Sequence, residues 1–206
     1  MRICRLVVGP VSTNCYIVTD ENTKDGFLID PGAQAEKIKN KIKELDVCIK
    51  GILLTHGHFD HIMAVDELRK EYDAKVYLGE EDASWISDTA KNVSSLFGAP
   101  YATKADCLVK DEEQLTVAGF EIKVLHTPGH TPGGVCYYLE KEGVAFSGDT
   151  IFQGSVGRSD FPGGSGSTLS KSIKQKVFTL PEDTQLFPGH GDSTLVSYEK
   201  KYNMFV

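Results

Sequence analysis

Leu53-Leu54-Thr55-His56-Gly57-His58-Phe59-Asp60-His61-Ile62 places three histidines and an aspartate within six positions, directly after an apolar run. Residues 49–54 read as a short buried strand. From about 59 to 72, Ile62, Val65 and Leu68 fall on one helical stripe. The polar cluster therefore sits where a strand hands over to a helix. Alternate residues of an extended segment share a side, so His56 and His58 face one way. Asp60 and His61 follow as the chain turns, and face a second point. Three imidazoles at such a junction are poor strand formers and repel one another when protonated.

A divalent cation removes both objections. Neutral imidazoles and carboxylates converge on an ion such as Zn²⁺, usually four donors to a site. A polar turn with surface histidines would explain one His; it does not explain H-x-H-x-D-H, which has room to serve two metals. Further donors stand in similar places. The chain has six histidines. His130 lies in His126-Thr127-Pro128-Gly129-His130-Thr131-Pro132-Gly133, a Pro/Gly turn after a strand, and His190 lies in Phe187-Pro188-Gly189-His190-Gly191, after another. Asp149, in Gly148-Asp149-Thr150, follows a third. Strand ends are where a rigid scaffold gathers functional groups on loops.

Around these motifs, residues 2–8, 14–19 and 26–30 read as strands, and 34–45 as a helix with Ile38, Ile42 and Leu45 on one face. Residues 75–79, 120–126, 134–139, 143–147 and 184–187 read as strands, and 168–178 and 195–204 as helices. Strands mixed with helices in both halves imply layered sheets covered by helices. The stretch 80–118 is the least legible. A helix over 83–91 would carry Trp85, either packed on the core or facing substrate.

Composition narrows the class. At 206 residues the chain fits a single domain spanning 1–206. A formal net charge of −7, with no Lys/Arg cluster, argues against a nucleic-acid partner. No run approaches the roughly 18 apolar residues of a membrane helix, and Gly9-Pro10 breaks the N-terminal apolar stretch before it resembles a signal peptide. Five scattered cysteines without C-x-x-C read as reduced thiols, so a cytoplasmic protein is expected. The Asn92-Val93-Ser94 sequon has no meaning in that compartment.

The motifs Thr55-His56-Gly57-His58-Phe59-Asp60-His61, Pro128-Gly129-His130-Thr131, Gly148-Asp149-Thr150 and Pro188-Gly189-His190-Gly191 resemble, in order and spread, those of the metallo-β-lactamase superfamily. The resemblance implies an α/β fold, a four-layer αββα sandwich with metals at one edge of two mixed sheets. It implies that His56, His58 and His130 bind one divalent ion, that Asp60, His61 and His190 bind a second, and that Asp149 bridges them. The expected ions are two Zn²⁺, with Fe or Mn as alternatives. His126 has no ligand role in the pattern and reads as a supporting or packing residue.

Within the superfamily, exported β-lactamases lack a bridging aspartate, so antibiotic hydrolysis is not expected. The nucleases add RNA-binding regions that have no counterpart here. Gly157-Arg158-Ser159-Asp160-Phe161 and Pro188-Gly189-His190-Gly191-Asp192 resemble short glyoxalase II-like hydrolases, and also persulfide dioxygenases that use one iron. Only sixteen residues follow His190, so the helical domain that holds glutathione in full-length glyoxalase II is not expected. The resemblance implies a small-molecule substrate, most simply a hydroxyacyl thioester of the S-lactoylglutathione type. Asp60 and Asp149 then serve catalysis as well as metal binding. The alternatives are a mononuclear-iron persulfide dioxygenase, or a lactone or phosphoester hydrolase. Arg158 either grips an anionic substrate or pairs with Asp160. Oligomeric state has no signature in the sequence.

Overall fold

Successive side chains of a strand point to opposite faces, and β2 (Thr13–Thr19) buries both of its faces. In the computed structural model, which describes residues 1–206, Cys15 and Ile17 pack on one side against Ile38, Ile42, Val65 and Leu68. Tyr16 and Val18 pack on the other against Tyr137, Leu139 and Phe146. The same alternation runs through β9 (Val135–Leu139). Val135, Tyr137 and Leu139 face the shared interior, while Cys136 and Tyr138 face Leu169, Ile173 and Val196. Three apolar clusters separated by two sheets make four layers, αββα, as expected.

The first sheet contains β1 (Arg2–Val8), β2, β3 (Asp25–Ile29), β4 (Cys48–Leu53), β5 (Lys75–Gly79) and β6 (Cys107–Val109), in that spatial order. Its first two pairings are antiparallel and the last three parallel. The second sheet has the order β14 (Thr194–Leu195), β13 (Gln185–Pro188), β10 (Val144–Gly148), β9, β8 (Phe120–His126) and β7 (Gln114–Val117). Here β10 and β13 are parallel and the other pairings antiparallel. The ends of β3, β4 and β5 therefore open at one edge of their sheet. The ends of β8, β10 and β13 likewise share one edge of theirs. A two-stranded hairpin, β11 (Ile151–Phe152) with β12 (Ser155–Val156), follows β10.

Helices α1 (Ala35–Leu45), α2 (Phe59–Ile62), α3 (Val65–Tyr72) and α4 (Ala83–Ile86) cover the first sheet, and α5 (Gly166–Gln175) and α6 (Val196–Tyr202) the second. None of them is long and apolar enough to cross a membrane.

Several expected boundaries move. The single helix expected over 59–72 is two, α2 and α3. Gly32 lies so close that a side chain there would run into the carbonyl of Asp60. The amide of Ala64 donates to Pro31 O at 3.0 Å instead of continuing the first helix. The helix expected over 83–91 stops at Ile86, because the Asp88 carboxylate accepts from the amides of Ala90 (2.9 Å) and Lys91 (3.3 Å) and turns the chain. The helix expected over 168–178 starts at Gly166, where the Ser165 hydroxyl accepts from Thr168 N at 3.3 Å, and ends at Gln175. The strands β6, β7, β11, β12 and β14 escaped the sequence reading. They are two to four residues long, too short for alternation to register.

Candidate metal centre

All seven side chains singled out in the sequence converge at the shared edge, each from a different turn or from the same short loop. Thr55–His58 continue off β4, and α2 carries Asp60 and His61. His130 comes from the loop after β8, Asp149 from the turn after β10, and His190 from the turn after β13. His56 Nε2 lies 3.2 Å from His130 Nε2, and His58 Nδ1 lies 2.8 Å from the same atom. Asp60 Oδ2 is 3.4 Å from His61 Nε2 and 3.3 Å from His190 Nε2. Asp149 stands between these two groups. Its Oδ1 is 3.5 Å from His61 Nε2, and its Oδ2 is 3.5 Å from both His130 Nε2 and His190 Nε2. Within each set, His56/His58/His130, Asp60/His61/His190 and His56/His61/Asp149, the donor atoms all lie within 4.8 Å of one another.

Hydrogen bonds on the far side of the rings fix which nitrogen keeps its lone pair. Asp30 Oδ2 accepts from the Thr55 hydroxyl at 2.6 Å and from His61 Nδ1 at 2.9 Å. With its proton committed to Asp30, the Thr55 oxygen accepts from His56 Nδ1 at 3.1 Å. His130 Nδ1 donates to Arg158 O at 2.7 Å. His56 and His130 therefore turn an unprotonated Nε2 inward, and His61, with Nδ1 on Asp30, also directs its Nε2 inward. Such outer partners orient metal-binding imidazoles. Asp30 also accepts from Thr55 N at 2.8 Å, which pins the loop at its first residue.

The electrostatics separate the two groups. Burial, then repulsion by neighbouring imidazoles, pushes His56 and His58 well below the ordinary imidazole range, which keeps them in the neutral form that can ligate. Burial also acts to lower His61, but the carboxylates of Asp60, Asp149 and Asp30 outweigh it and hold the ring well above its usual value. Burial tends to raise Asp60, but the charge of His61 and the bond from His190 hold it well below the carboxylate range. Carboxylates gathered this closely call for positive charge among them. Two buried atoms that face each other, His61 Nε2 and Asp149 Oδ1, have no hydrogen-bond partner at all. A cation between the groups would satisfy both, so the donor set fits divalent metal.

Two contributors were missed in the sequence. Asp30 ends a strand and precedes Pro31-Gly32, the same strand-then-Pro/Gly pattern that drew attention to His130 and His190. Asp82 lies in the stretch that could not be read. It accepts from Gly57 N (2.8 Å), Thr131 Oγ1 (2.7 Å) and Gly133 N (2.7 Å), tying the loop after β4 to the loop after β8. The other residues resolve as follows. His126 Nε2 donates to Pro132 O at 2.8 Å and supports that loop without joining either group. Trp85 packs near Gly57 and Gly163, behind the site. Arg158 makes a two-pronged ion pair with Asp160, 2.8 Å on each prong, and its guanidinium lies 3.7 Å above the ring of Phe161. It still lines the cavity of about 140 Å³ that opens over His58, Asp60, His130, Asp149 and His190.

With this geometry in hand, the metallo-beta-lactamase superfamily matches residues 8–190, and the chain belongs to it. Membership makes it a metal-dependent enzyme of a hydrolase superfamily. The probable metallo-hydrolase YqgX of Bacillus subtilis is 40% identical over 100% of this chain and 98% of its own length. The hydroxyacylglutathione hydrolase GloC of Haemophilus influenzae is 35% identical, again over 100% of this chain and 98% of its own. Among solved structures, BLEG-1 B3 metallo-beta-lactamase superposes with a TM-score of 0.95 at 42% identity, covering 99% of each chain. TTHA1623 in a di-iron-bound form gives 0.89 at 34% identity, covering 98% of this chain and 100% of that one. ETHE1 from Myxococcus xanthus gives 0.84 at 31%, covering 99% and 84%.

Proposed function

We propose that residues 1–206 act as one domain that hydrolyses a thioester at a pair of divalent ions. His56, His58 and His130 would hold one ion, Asp60, His61 and His190 the other, and Asp149 both. The observation that carries this reading is Asp149, whose two oxygens lie 3.5 Å from imidazoles of both groups. The hydroxyacylglutathione hydrolase relative supports the thioester, and the di-iron neighbour supports two ions while leaving zinc or iron open. We infer a cytoplasmic, small-molecule enzyme on the same grounds as in the sequence.

When bound, the ions act as Lewis acids and bring the pKa of water down to about 7. The chain's own residues do the rest. Asp30 and Thr55 hold His56 and His61 in one tautomer. Thr13 Oγ1 donates to Asp60 Oδ2 at 2.9 Å and fixes the carboxylate that faces the reacting water. Water adds its oxygen to the acyl carbon, the C–S bond breaks, and a carboxylate and a thiol result. Thiols ionise near pKa 8.5, roughly, so the leaving group needs no dedicated acid, and none of the lining residues is free to act as one.

The test is hydrolysis of S-lactoylglutathione by metal-replete protein, with a stripped control and metal counted per chain. Rapid cleavage by protein holding two ions supports the reading. Oxygen uptake with glutathione persulfide by protein holding a single iron overturns it in favour of the dioxygenase. A β-lactam belongs in the same panel because of the BLEG-1 likeness, and slow or no turnover is expected with it.

A further inference from the structure

The cavity over the ligand groups is lined by two kinds of residue beyond the donors: the apolar Val11, Phe59, Val93 and Phe97, and the pair Arg158 and Phe161. Phe59 and Phe97 stack with centroids 4.6 Å apart and ring planes 23° from parallel. Phe97 remains 49% exposed and its neighbour Leu96 71%. Large apolar side chains at the mouth of a concave site stay hydrated until something apolar covers them.

The segment that supplies Val93 and Phe97 to this lining is built to do so. Phe59 N donates to Asn92 O at 3.0 Å, Asn92 Nδ2 to Tyr101 O at 2.8 Å, and Ser94 N to Asn92 Oδ1 at 2.9 Å. Between them Val93 sits at φ 58, a left-handed conformation that a β-branched residue adopts only under constraint. Those bonds on either side hold the strained residue in place, with Val93 lining the cavity. The guanidinium of Arg158 is already engaged by both oxygens of Asp160. The other charged or titratable side chains that line the cavity belong to the ligand groups. A tripeptide thiol with two carboxylates finds no unpaired cation here.

We propose that the substrate carries a short apolar arm that lies against Val11, Phe59, Val93 and Phe97, with Phe97 a specificity-determining residue. This inference rests on the thioester reading. Two series of thioesters separate the possibilities, both read as kcat/KM with metal-loaded protein. One holds a small neutral thiol constant and lengthens the acyl group from acetyl to hexanoyl, with lactoyl alongside. The other holds acetyl constant and lengthens an alkyl thiol from ethyl to hexyl, with glutathione alongside. The expected result is a rise of up to roughly fourfold per methylene in one series, the value for fully burying a CH₂. Phe97→Ala should flatten that rise and Phe97→Leu largely restore it, with metal content unchanged in both. Leu108→Ala, on the remote edge strand β6, should leave the slope as it is. Straight-chain carboxylates should inhibit more tightly with length, and lose that trend in Phe97→Ala. Flat profiles in both series, or a slope indifferent to Phe97→Ala, would overturn the inference while leaving thioester hydrolysis intact. Failure to cleave any thioester would instead remove the underlying reading and this inference with it.

Discussion

Asp30 belongs to neither ligand group, yet it sets one imidazole of each. It reaches His61 directly and His56 through the Thr55 hydroxyl. Replacing it by Asn removes the charge that both rings lean on and presents an N–H where an acceptor is needed. Asp30→Asn is expected to lower metal affinity or activity by about 10–100-fold, the usual cost of losing such a partner; titration of metal into stripped protein measures it. An unchanged affinity would mean the tautomers are fixed otherwise. Asp149→Ala removes the carboxylate that lies 3.5 Å from imidazoles of both groups. Mass-spectrometric metal counting should find no more than one ion per chain, with kcat down at least about a hundredfold. Two ions and full activity would rule out the bridge. The seven donors were legible in the sequence because four crowd into one short histidine-rich motif after a strand and the other three lie in Gly- or Pro/Gly-containing turns that also follow strands. Asp30 was not, since a lone carboxylate after a strand reads as an ordinary turn until the residues it touches are known.

At the scale of elements, α6 reaches back to the hairpin that follows Asp149. Glu199, fully buried, accepts from Gly154 N (3.0 Å), Thr194 Oγ1 (2.6 Å) and Asn203 Nδ2 (2.8 Å), and Asn203 also donates to Ser155 O at 3.0 Å. Glu199→Ala strands several donors at once. The expected loss is about 3 kcal/mol, or a melting point lower by roughly 10 °C in a chain of this size, read by calorimetry; Glu199→Gln should recover part of it. Elements with long apolar periodicity, such as α1 and β8, could be read to within a residue or so. The division of α2 from α3 could not, because it depends on Gly32 and Pro31, distant in sequence, occupying the space where the helix would continue. Segment 87–101 owes its course to side-chain-to-backbone bonds of Asp88, Asn92 and Ser94, for which periodicity gives no signal.

At the scale of the whole molecule, the mixture of strands and helices implied layered sheets covered by helices, the four-layer order came from the family resemblance, and both outer faces are sealed by amphipathic helices. The edge that carries the site is the exception, where Asp30, Asp60 and Asp149 meet three imidazoles. That edge should be the part of the fold most dependent on metal. Chelation is expected to lower the melting temperature, and adding metal should restore it in a concentration-dependent way. Saturation at a thousand times Kd is worth about 4 kcal/mol. A melting temperature indifferent to both would mean that the donors hold no ion.

The last ligand turn is fastened to the beginning of the chain. Asn14 N donates to Gly189 O at 2.7 Å, the Tyr16 hydroxyl to Pro188 O at 2.7 Å, and Thr13 forms a bridge with His190. During synthesis on the ribosome, His56, His58, Asp60 and His61 emerge long before the strand that delivers His190. The nascent chain thus displays half a chelator to the cell while the rest is still being translated. On the proposed ligand assignment, the group that includes His190 would reach its final geometry only after residue 190 has cleared the exit tunnel and docked against residues 13–16, so complete metal loading would follow translation.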